Sequence, residues 1–441
     1  MKQDMRIAWF SPLPPAQTGI SAYSRSVLPM LEASGLEIDR FVDRASGAPI
    51  GGRVFDAHDF VWRHRRAPYD LVVYQFGNAP WHDYMWAYVF HYPGLVVLHD
   101  ARLHHARAAQ LLRARRVDDY RQEFAYSHPG NPAGAEHAIA GLRGSAFYLW
   151  PMVSALVDSA RMVAVHSDFI AEELREQHPG ARVEKIRLGI AERTASPDAR
   201  QAIRRQLGIR DAAVVFVAFG LMTAEKRIAQ ILDALGTLAA RDVDAHLLLV
   251  GSNSLPVLDD AIAQHHLAGR VHVTGYVADE RVADYLSAAD VSLALRWPTA
   301  GETSAAWIES LAAAKATIIS SLPHTADVPA IDARTWRPTK RSTDPIAVSI
   351  DVLEEDAGLL AAMSRLADDV ALRGALAAAG HACWKAEHRV DLMAADYRRV
   401  IAQAAALPAP AVRGLPSHLT NDYSARATSI ARELGVENNL V

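Results

Sequence analysis

One cysteine, Cys383, in 441 residues excludes an internal disulfide and a thiolate metal cluster. Its neighbours Ala382 and Trp384 predict a packed helix, and so little cysteine points to the cytosol. No apolar run reaches the roughly 20 residues needed to cross a bilayer, and the start MKQDMRIAWFSP is too short in apolar residues for a secretory signal. Neither sign of charge dominates. With 46 Lys and Arg against 50 Asp and Glu the formal net charge is -4, so bulk nucleic-acid binding is not expected. Glycine is scarce where a dinucleotide fold would concentrate it. The turn SPLPPAQTGISAYS, residues 11–24, holds Gly19 alone, so the GxGxxG fingerprint is missing and dehydrogenase chemistry loses its main support. A second cluster to join His104 and His105 with metal-ligand spacing is missing too, and no metal or other cofactor is expected.

What is present is an ordinary globular composition, half apolar and 22% charged, long enough for two or three domains. Short β-branched runs alternate with helical patterns, which predicts an α/β protein with parallel sheets covered on both faces. The first series is Arg6 to Phe10, Glu37 to Phe41, Leu71 to Gln75, Leu95 to Leu98, Met162 to Val165 and Val183 to Ile186. The second is Val214 to Phe219, His246 to Val250, Val271 to Thr274, Val291 to Leu295 and Thr317 to Ser320. Between them the polar stretch Ala191 to Gly208 predicts an inter-domain linker. The division expected is 1–195 for the first lobe and 205–385 for the second. A helix over 386–405 is expected to pack back on the first lobe, with a linker and tail over 406–441. Beyond Pro329 the strand rhythm stops, Pro345 to Ala404 reads as helical, and Ser417 to Val441 reads as one amphipathic helix, either a docking arm or a free tail. In doubly wound sheets ligands bind beyond the carboxyl ends of the strands, so two such lobes predict a cleft.

Four places carry chemistry. The segment WPTAGETSAAWIESLAAAKATIIS predicts a loop with Gly301, Glu302, Thr303 and Ser304, then a helix bearing Glu309, then a strand. A helix start offers amides and a positive dipole end to a diphosphate, while Glu302 and Glu309, read as sharing a face, suit sugar hydroxyls. Lys226 and Arg227 follow the strand VVFVAF and open the next helix, where two cations oppose the dipole unless an anion binds. His99 and Asp100 sit past the strand LVVL, positions at which a histidine can donate to a phosphate or sugar. Gly19 lets its turn approach a ligand. Each has a bland alternative as turn, surface charge or core, and strand-end position favours function for His99 and Lys226. In YQFGNAPWHDYMWAYVFHYP, Trp86, Tyr88 and Phe90 are read as core, with Asn78 and His82 as weaker acceptor-site candidates beside Asp100. Six arginines from Arg102 to Arg121 read as a solvated helix face, with a peripheral membrane contact as the alternative.

Taken with these motifs, the chain resembles the family 4 glycosyltransferases, retaining enzymes of the GT-B fold with two facing Rossmann-like, doubly wound domains and a helical C-terminal segment. The resemblance runs from about Met5 to about Ile401 and is strongest from Val214 to Ser320. It implies that Glu309 holds the nucleotide ribose, that Glu302 to Ser304 hold the donor sugar and diphosphate, and that His99 meets both. It also implies roles for Gly19 and Lys226, and a base contact near Val277 in the turn Tyr276 to Asp279. Two departures stand out: Gly301 occupies the usual place of the first glutamate, and Leu221 follows Gly220 where arginine is common, with Arg227 as the candidate to compensate.

The expected activity is transfer of a hexose from a nucleotide diphosphate sugar to an acceptor hydroxyl with retention, in surface or envelope glycan synthesis. His99, Lys226 and Glu302 are the catalytic candidates, and no metal is called for. The expected partners are the nucleotide sugar and a glycan, lipid-linked saccharide or other hydroxyl acceptor. The expected location is cytoplasmic, with peripheral contact at the inner face of the membrane as a variant. A nucleotide-sugar epimerase or hydrolase of the same fold and a non-catalytic nucleotide-sugar binder are the competing expectations.

Overall fold

A computed structural model describes residues 5–44, 51–141, 145–341, 343–421 and 424–433. The chain forms two compact units. The first runs to Ile186 and takes up Ala300–Glu302 and the chain from Ala394 on; the second comprises Arg187–Thr299 and Thr303–Met393.

The first unit is built on a parallel sheet of β1 (Arg6–Phe10), β2 (Glu37–Val42), β3 (Arg53–Asp56), β4 (Leu71–Phe76), β5 (Leu95–Leu98), β6 (Met162–Val165) and β7 (Val183–Lys185). Its order is β3-β2-β1-β4-β5-β6-β7. Val72, Tyr74 and Phe76 of β4 join one apolar cluster with Phe10, Val96 and Leu98, while Val73 and Gln75 are buried on the other face. That second face is met by Tyr397 of the helix Val390–Ala406, whose ring lies 5.3 Å from Trp9. Both faces being covered is why these strands read as continuous apolar runs.

The second unit has β8 (Val214–Phe219), β9 (Ala245–Val250), β10 (Val271–Val273), β11 (Val291–Ala294), β12 (Ala316–Ser321), β13 (Ala330–Asp332) and β14 (Ala347–Asp351). They are parallel in the order β10-β9-β8-β11-β12-β14-β13. Phe216 and Ala218 of β8 face one core cluster and Val215 and Val217 the other, the period-two alternation of a sheet buried on both sides.

Three expectations change. The strand rhythm does not stop at Pro329: β13 and β14 extend the second sheet, and a three-residue strand and a five-residue one interrupted by Ser349 leave little apolar signal. The polar stretch Ala191 to Gly208 is not a bare linker, because Ala199–Gln206 is a helix in which Arg204, almost wholly buried, donates to the Ala288 carbonyl and the Asp290 carboxylate. The tail is not one helix. Ser417–Thr420 forms a short helix docked on the first unit through Leu419 and through His418, whose Nε2 lies 2.7 Å from Glu123 Oε1. A second helix, Ser424–Glu433, follows, and residues 434–441 lie outside the described ones. Among the described residues no helix is long and apolar enough to cross a membrane.

Candidate functional site

In each sheet the chain first builds outward on one side of its opening strand and then crosses to the other. The crossings fall between β1 and β4 and between β8 and β11. Loops leaving such neighbours diverge, which opens a crevice at the carboxyl ends of the strands. The residues singled out in the sequence sort into two groups around these two points.

In the first unit the loop after β1 leads into the helix Gly19–Ala33, capped by Thr18, whose hydroxyl accepts from Ser21 N at 3.0 Å. No atom lies within 4 Å of where a Cβ on Gly19 would stand, so this turn has an open approach. Across the crossing, Gly77 follows β4, and a Cβ there would lie 2.5 Å from Ile20 Cδ1 and 2.9 Å from His82 Nε2. Glycine is required by that approach, and its signal in the sequence was a glycine directly after a buried strand. Asp100 and Asn78 clamp the rim: Asn78 N donates to Asp100 Oδ2 at 2.6 Å, and Asn78 Oδ1 accepts from Ala106 N at 2.9 Å, capping the helix His104–Arg113. His82 is buried with Nδ1 2.8 Å from the Gln75 carbonyl, and burial lowers its pKa to about 4. Asn78 and His82 thus brace the rim through Asn78 N, Asn78 Oδ1 and His82 Nδ1.

His99 lies at the centre of a polar chain that the sequence reading missed. Its Nε2 is 2.7 Å from Gln75 Oε1 and its Nδ1 is 3.2 Å from His166 Nε2, while His166 Nδ1 is 2.8 Å from the Ile186 carbonyl. The Tyr397 hydroxyl accepts from Tyr23 at 2.9 Å and lies 3.0 and 3.3 Å from the two terminal atoms of the Gln75 amide. Burial, reinforced by His166 and His82, holds the His99 pKa well below the usual histidine range, and burial brings His166 to about 4. Both rings are thus neutral at pH 7. With His166 donating from Nδ1, a neutral His99 donates from its own Nδ1, and its Nε2 becomes an acceptor. The chain closes when the Gln75 amide turns its nitrogen to His99 and its oxygen to the Tyr397 hydroxyl, an assignment hydrogen-bond accounting makes. Both ring nitrogens of His99 have protein partners, so the ring is not the ready phosphate donor expected from its strand-end position. The available signal was Gln75 itself, a polar residue inside LVVYQF.

Gly301 and Glu302 also belong to the first unit. Gly301 has φ +75°, and a Cβ there would be 3.0 Å from each of Ala101 Cβ, Arg102 Nη1 and Ile170 Cδ1. A glutamate has neither the backbone conformation nor the room. Glu302 lies in the loop ahead of the helix, where its Oε2 accepts from Ala300 N at 2.8 Å, so it does not share a helical face with Glu309. The arginine-rich stretch is not wholly solvated either. Arg107 is buried, paired with Glu123 and 4.0 Å from the Trp86 ring centroid.

In the second unit the turns after β8 and β9 meet backbone to backbone: Gly251, at φ +140°, would place a Cβ 2.1 Å from the Gly220 carbonyl oxygen. Lys226 closes a short helical turn, Ala224–Lys226, and its Nζ donates to the Phe219 carbonyl at 2.6 Å, which pins the ammonium at the end of β8. Trp297 N donates to the Glu225 carbonyl at 2.8 Å, tying the loop after β11 to this turn. That loop ends at Ser304, whose hydroxyl accepts from Trp307 N at 3.2 Å and starts the helix Ala305–Ala312, with Thr303 half-buried beside it. One turn in, Glu309 is buried and 3.1 Å from Arg193 Nη2, and Arg193 Nη1 donates to the Asp279 carbonyl at 2.6 Å. Arg193 thereby joins the carboxylate to the turn that holds Val277, which packs half-buried on the cluster with Val250 and Val282. Burial, outweighing Arg193, raises the Glu309 pKa to about 7. Nothing in the polar stretch around Arg193 marked it out beforehand.

Arg227 departs from expectation. It adopts a left-handed conformation, φ +61°, just before the helix Ile228–Ala240, and donates from Nε to both carboxylate oxygens of buried Glu355 at 2.9 and 2.8 Å. Its anion is supplied by the protein. It does not compensate for Leu221, which is exposed.

Residues 213–343, which run from before Lys226 to beyond Glu309 and lie in the second unit except for Ala300–Glu302, match the family described as glycosyl transferases group 1. No curated protein matches the chain. Among solved structures the chain is similar to sucrose-phosphate synthase from Thermosynechococcus elongatus, at 18% identity and TM-score 0.63 over 90% of this chain and 98% of that one. It is also similar to HepE from Anabaena, solved with UDP and glucose, at 15% identity and TM-score 0.59 over 90% and 99%. A glycosyltransferase from Rickettsia africae aligns at 11% identity and TM-score 0.62 over 91% and 99%. The two parallel seven-stranded sheets with a helical C-terminal segment are the GT-B fold, and the second unit carries a glycosyl transferases group 1 segment.

Proposed function

We propose that the protein is a glycosyltransferase of the family 4 kind that moves a hexose from a nucleotide diphosphate sugar to an acceptor hydroxyl with retention. The observation that carries this reading is the grouping around the β8–β11 crossing: an ammonium pinned at a strand end, a capped helix start, and a buried carboxylate linked by Arg193 to the following turn. Each suits one part of such a donor. As the glycosidic bond breaks, charge grows on the leaving diphosphate, and Lys226 with the first-turn amides near Ser304 stabilises it. Glu309, ionised, accepts charge-assisted bonds from ribose hydroxyls, and Val277 lies in the turn offered to the base. Thr303, Gly301 and Glu302 are assigned to the donor sugar through their loop, and Gly19 to the donor through its open turn. Asp100 stays with the acceptor side. His99 acts from within its polar chain, giving up one partner when a sugar or phosphate binds. The group 1 match over 213–343 supports the donor half of this reading, and the UDP complex of the Anabaena relative favours a nucleotide sugar as ligand. Envelope or surface glycan synthesis at the cytoplasmic face of a membrane is the setting proposed, with a glycan or lipid-linked saccharide as acceptor.

The test is a thermal-shift panel of UDP-, GDP-, ADP- and TDP-sugars, followed by turnover with acceptors and assignment of the product anomer. One donor class raising the melting temperature, with transfer and a retained anomer, is expected. Lys226→Ala should lower turnover by about 10² to 10³, the size of losing one transition-state charge donor. Donor consumption without an acceptor would favour hydrolysis or epimerisation instead, and binding without turnover a non-catalytic role.

A further inference from the structure

We propose that the first unit holds a second anion site, a cavity of about 480 Å³ that binds a phosphate-bearing ligand through Arg161, Arg182 and Arg413. Arg161 and Arg182 directly precede β6 and β7, so the cavity lies at the amino-terminal ends of the strands, opposite the end that carries His99 and Gly77. Both are fixed to the sheet by their main chains: Arg161 N donates to the Gly94 carbonyl at 2.9 Å, and the Arg182 carbonyl accepts from Val163 N at 2.8 Å. Arg413 arrives on the segment Leu407–Arg413, whose Pro408 and Pro410 keep it extended and stiff across the cavity. Leu415 and Leu419 then anchor the chain to the apolar cluster of the unit.

The charge balance of this cavity is unfinished. Three guanidinium groups line it, and among the described residues none is in an ion pair or side-chain hydrogen bond. The one carboxylate in the lining, Asp158, is already taken by the Tyr126 hydroxyl at 2.8 Å and His178 Nδ1 at 3.0 Å. Arg161 Nε has no acceptor within the protein. The positive field reaches beyond the cavity: after burial, Arg161 and Arg6 are the causes that lower the pKa of His64. Guanidinium groups with no carboxylate are matched in charge and geometry by phosphate oxygens, which each can bind through paired N–H donors. The shared chemistry is a phosphate group, either free in solution or on a lipid headgroup.

Calorimetry of the full-length protein with inorganic pyrophosphate, and flotation with vesicles of phosphatidylglycerol and phosphatidylcholine, separate the two sources. The comparison is between wild type, the double variant Arg182→Gln/Arg413→Gln, and Lys226→Ala. A dissociation constant for pyrophosphate at least tenfold weaker in the double variant but within about twofold of wild type in Lys226→Ala supports the site with a soluble ligand. Flotation with the anionic vesicles alone, lost in the double variant, supports it with a headgroup. Equal binding of either probe by wild type and the double variant, or binding of neither by wild type, overturns the proposal. Arg413→Ala alone, on the strap outside the sheet, gives the same reading should the double variant fold poorly.

Discussion

Gly301, the residue that breaks the family pattern, has a backbone at φ +75° and no space for a side chain among Ala101, Arg102 and Ile170. A non-glycine residue in that region costs roughly 1 to 2 kcal/mol before any clash is counted. Gly301→Ala should therefore lower the denaturant midpoint by at least that equivalent. Gly301→Glu, which restores the usual glutamate, should lower it further and gain no activity. A Gly301→Glu variant as stable as wild type would show that the loop is not held as described. At Glu309 the argument is electrostatic. Its folded pKa of about 7 stands above the ordinary carboxyl value, so the folded state holds the extra proton. Its effect on stability is therefore most favourable at acid pH and is lost as pH rises through about 7, by an amount on the order of 3 kcal/mol. Ribose binding needs the ionised form, so affinity moves the other way. Nucleotide affinity should tighten about tenfold between about pH 6 and pH 8, as the competent fraction grows. Glu309→Gln should bind weakly at both. Titration calorimetry at the two pH values decides it, and a flat profile in wild type would remove Glu309 from the ribose role.

The elements were legible where burial on both faces wrote a continuous apolar run. Every strand from β4 to β6 and β8 to β12 was readable, most of them from VVFVAF-like segments, and two doubly wound sheets followed from their alternation with helices. β3, β13 and β14 were not, because RVFD, AID and AVSID hold no more than two apolar residues in a row. The site divides the same way. Lys226, Ser304 and Glu309 were visible because strand ends and helix starts are marked locally, whereas Gln75, His166, Tyr397 and Arg193 act through partners distant in sequence. Arg227 shows the limit of a local rule. A cation ahead of a helix start was read as waiting for a ligand anion, but its anion comes from Glu355, in the first turn of the helix Glu355–Asp368, 128 residues away. This pair joins two helices of the second unit, with Glu355 buried and Arg227 about three-quarters so. Removing one partner of a buried pair strands the other, which costs about 3 to 5 kcal/mol when both are fully buried, and somewhat less here. Glu355→Ala and Arg227→Ala should each lower stability in urea by a few kcal/mol, with the double variant far less destabilised than their sum. Arg227→Ala should leave the donor KM nearly unchanged. A large KM increase with intact stability would return Arg227 to the donor site.

At the scale of the molecule, the two units carry different titration loads. The first contains His82, His104 and His166, all buried, and His99, partly so. Burial brings His82 and His166 to about 4 and His104 to about 3, and holds His99 well below its usual range. In the unfolded chain these rings take up protons near pH 6.5, while the folded unit refuses them until the depressed values are reached. Stability from this source is therefore complete above about pH 6.5 and is lost as pH falls toward 4, with the unfolded state binding more protons throughout that window. In the second unit His246 and His272 are also lowered, but they are two against four, Asp244 beside His246 pulls its value the other way, and Glu309 has the opposite slope. Acid should therefore open the first unit before the second. Hydrogen exchange compared at about pH 7.5 and pH 5, corrected for intrinsic rates, should show strands β1, β4, β5 and β6 losing protection while β8, β9 and β11 keep theirs. Replacing His82 and His166 with glutamine should shift that loss to lower pH. Loss of protection in both sheets at the same pH would mean that the four histidines do not set the acid limit.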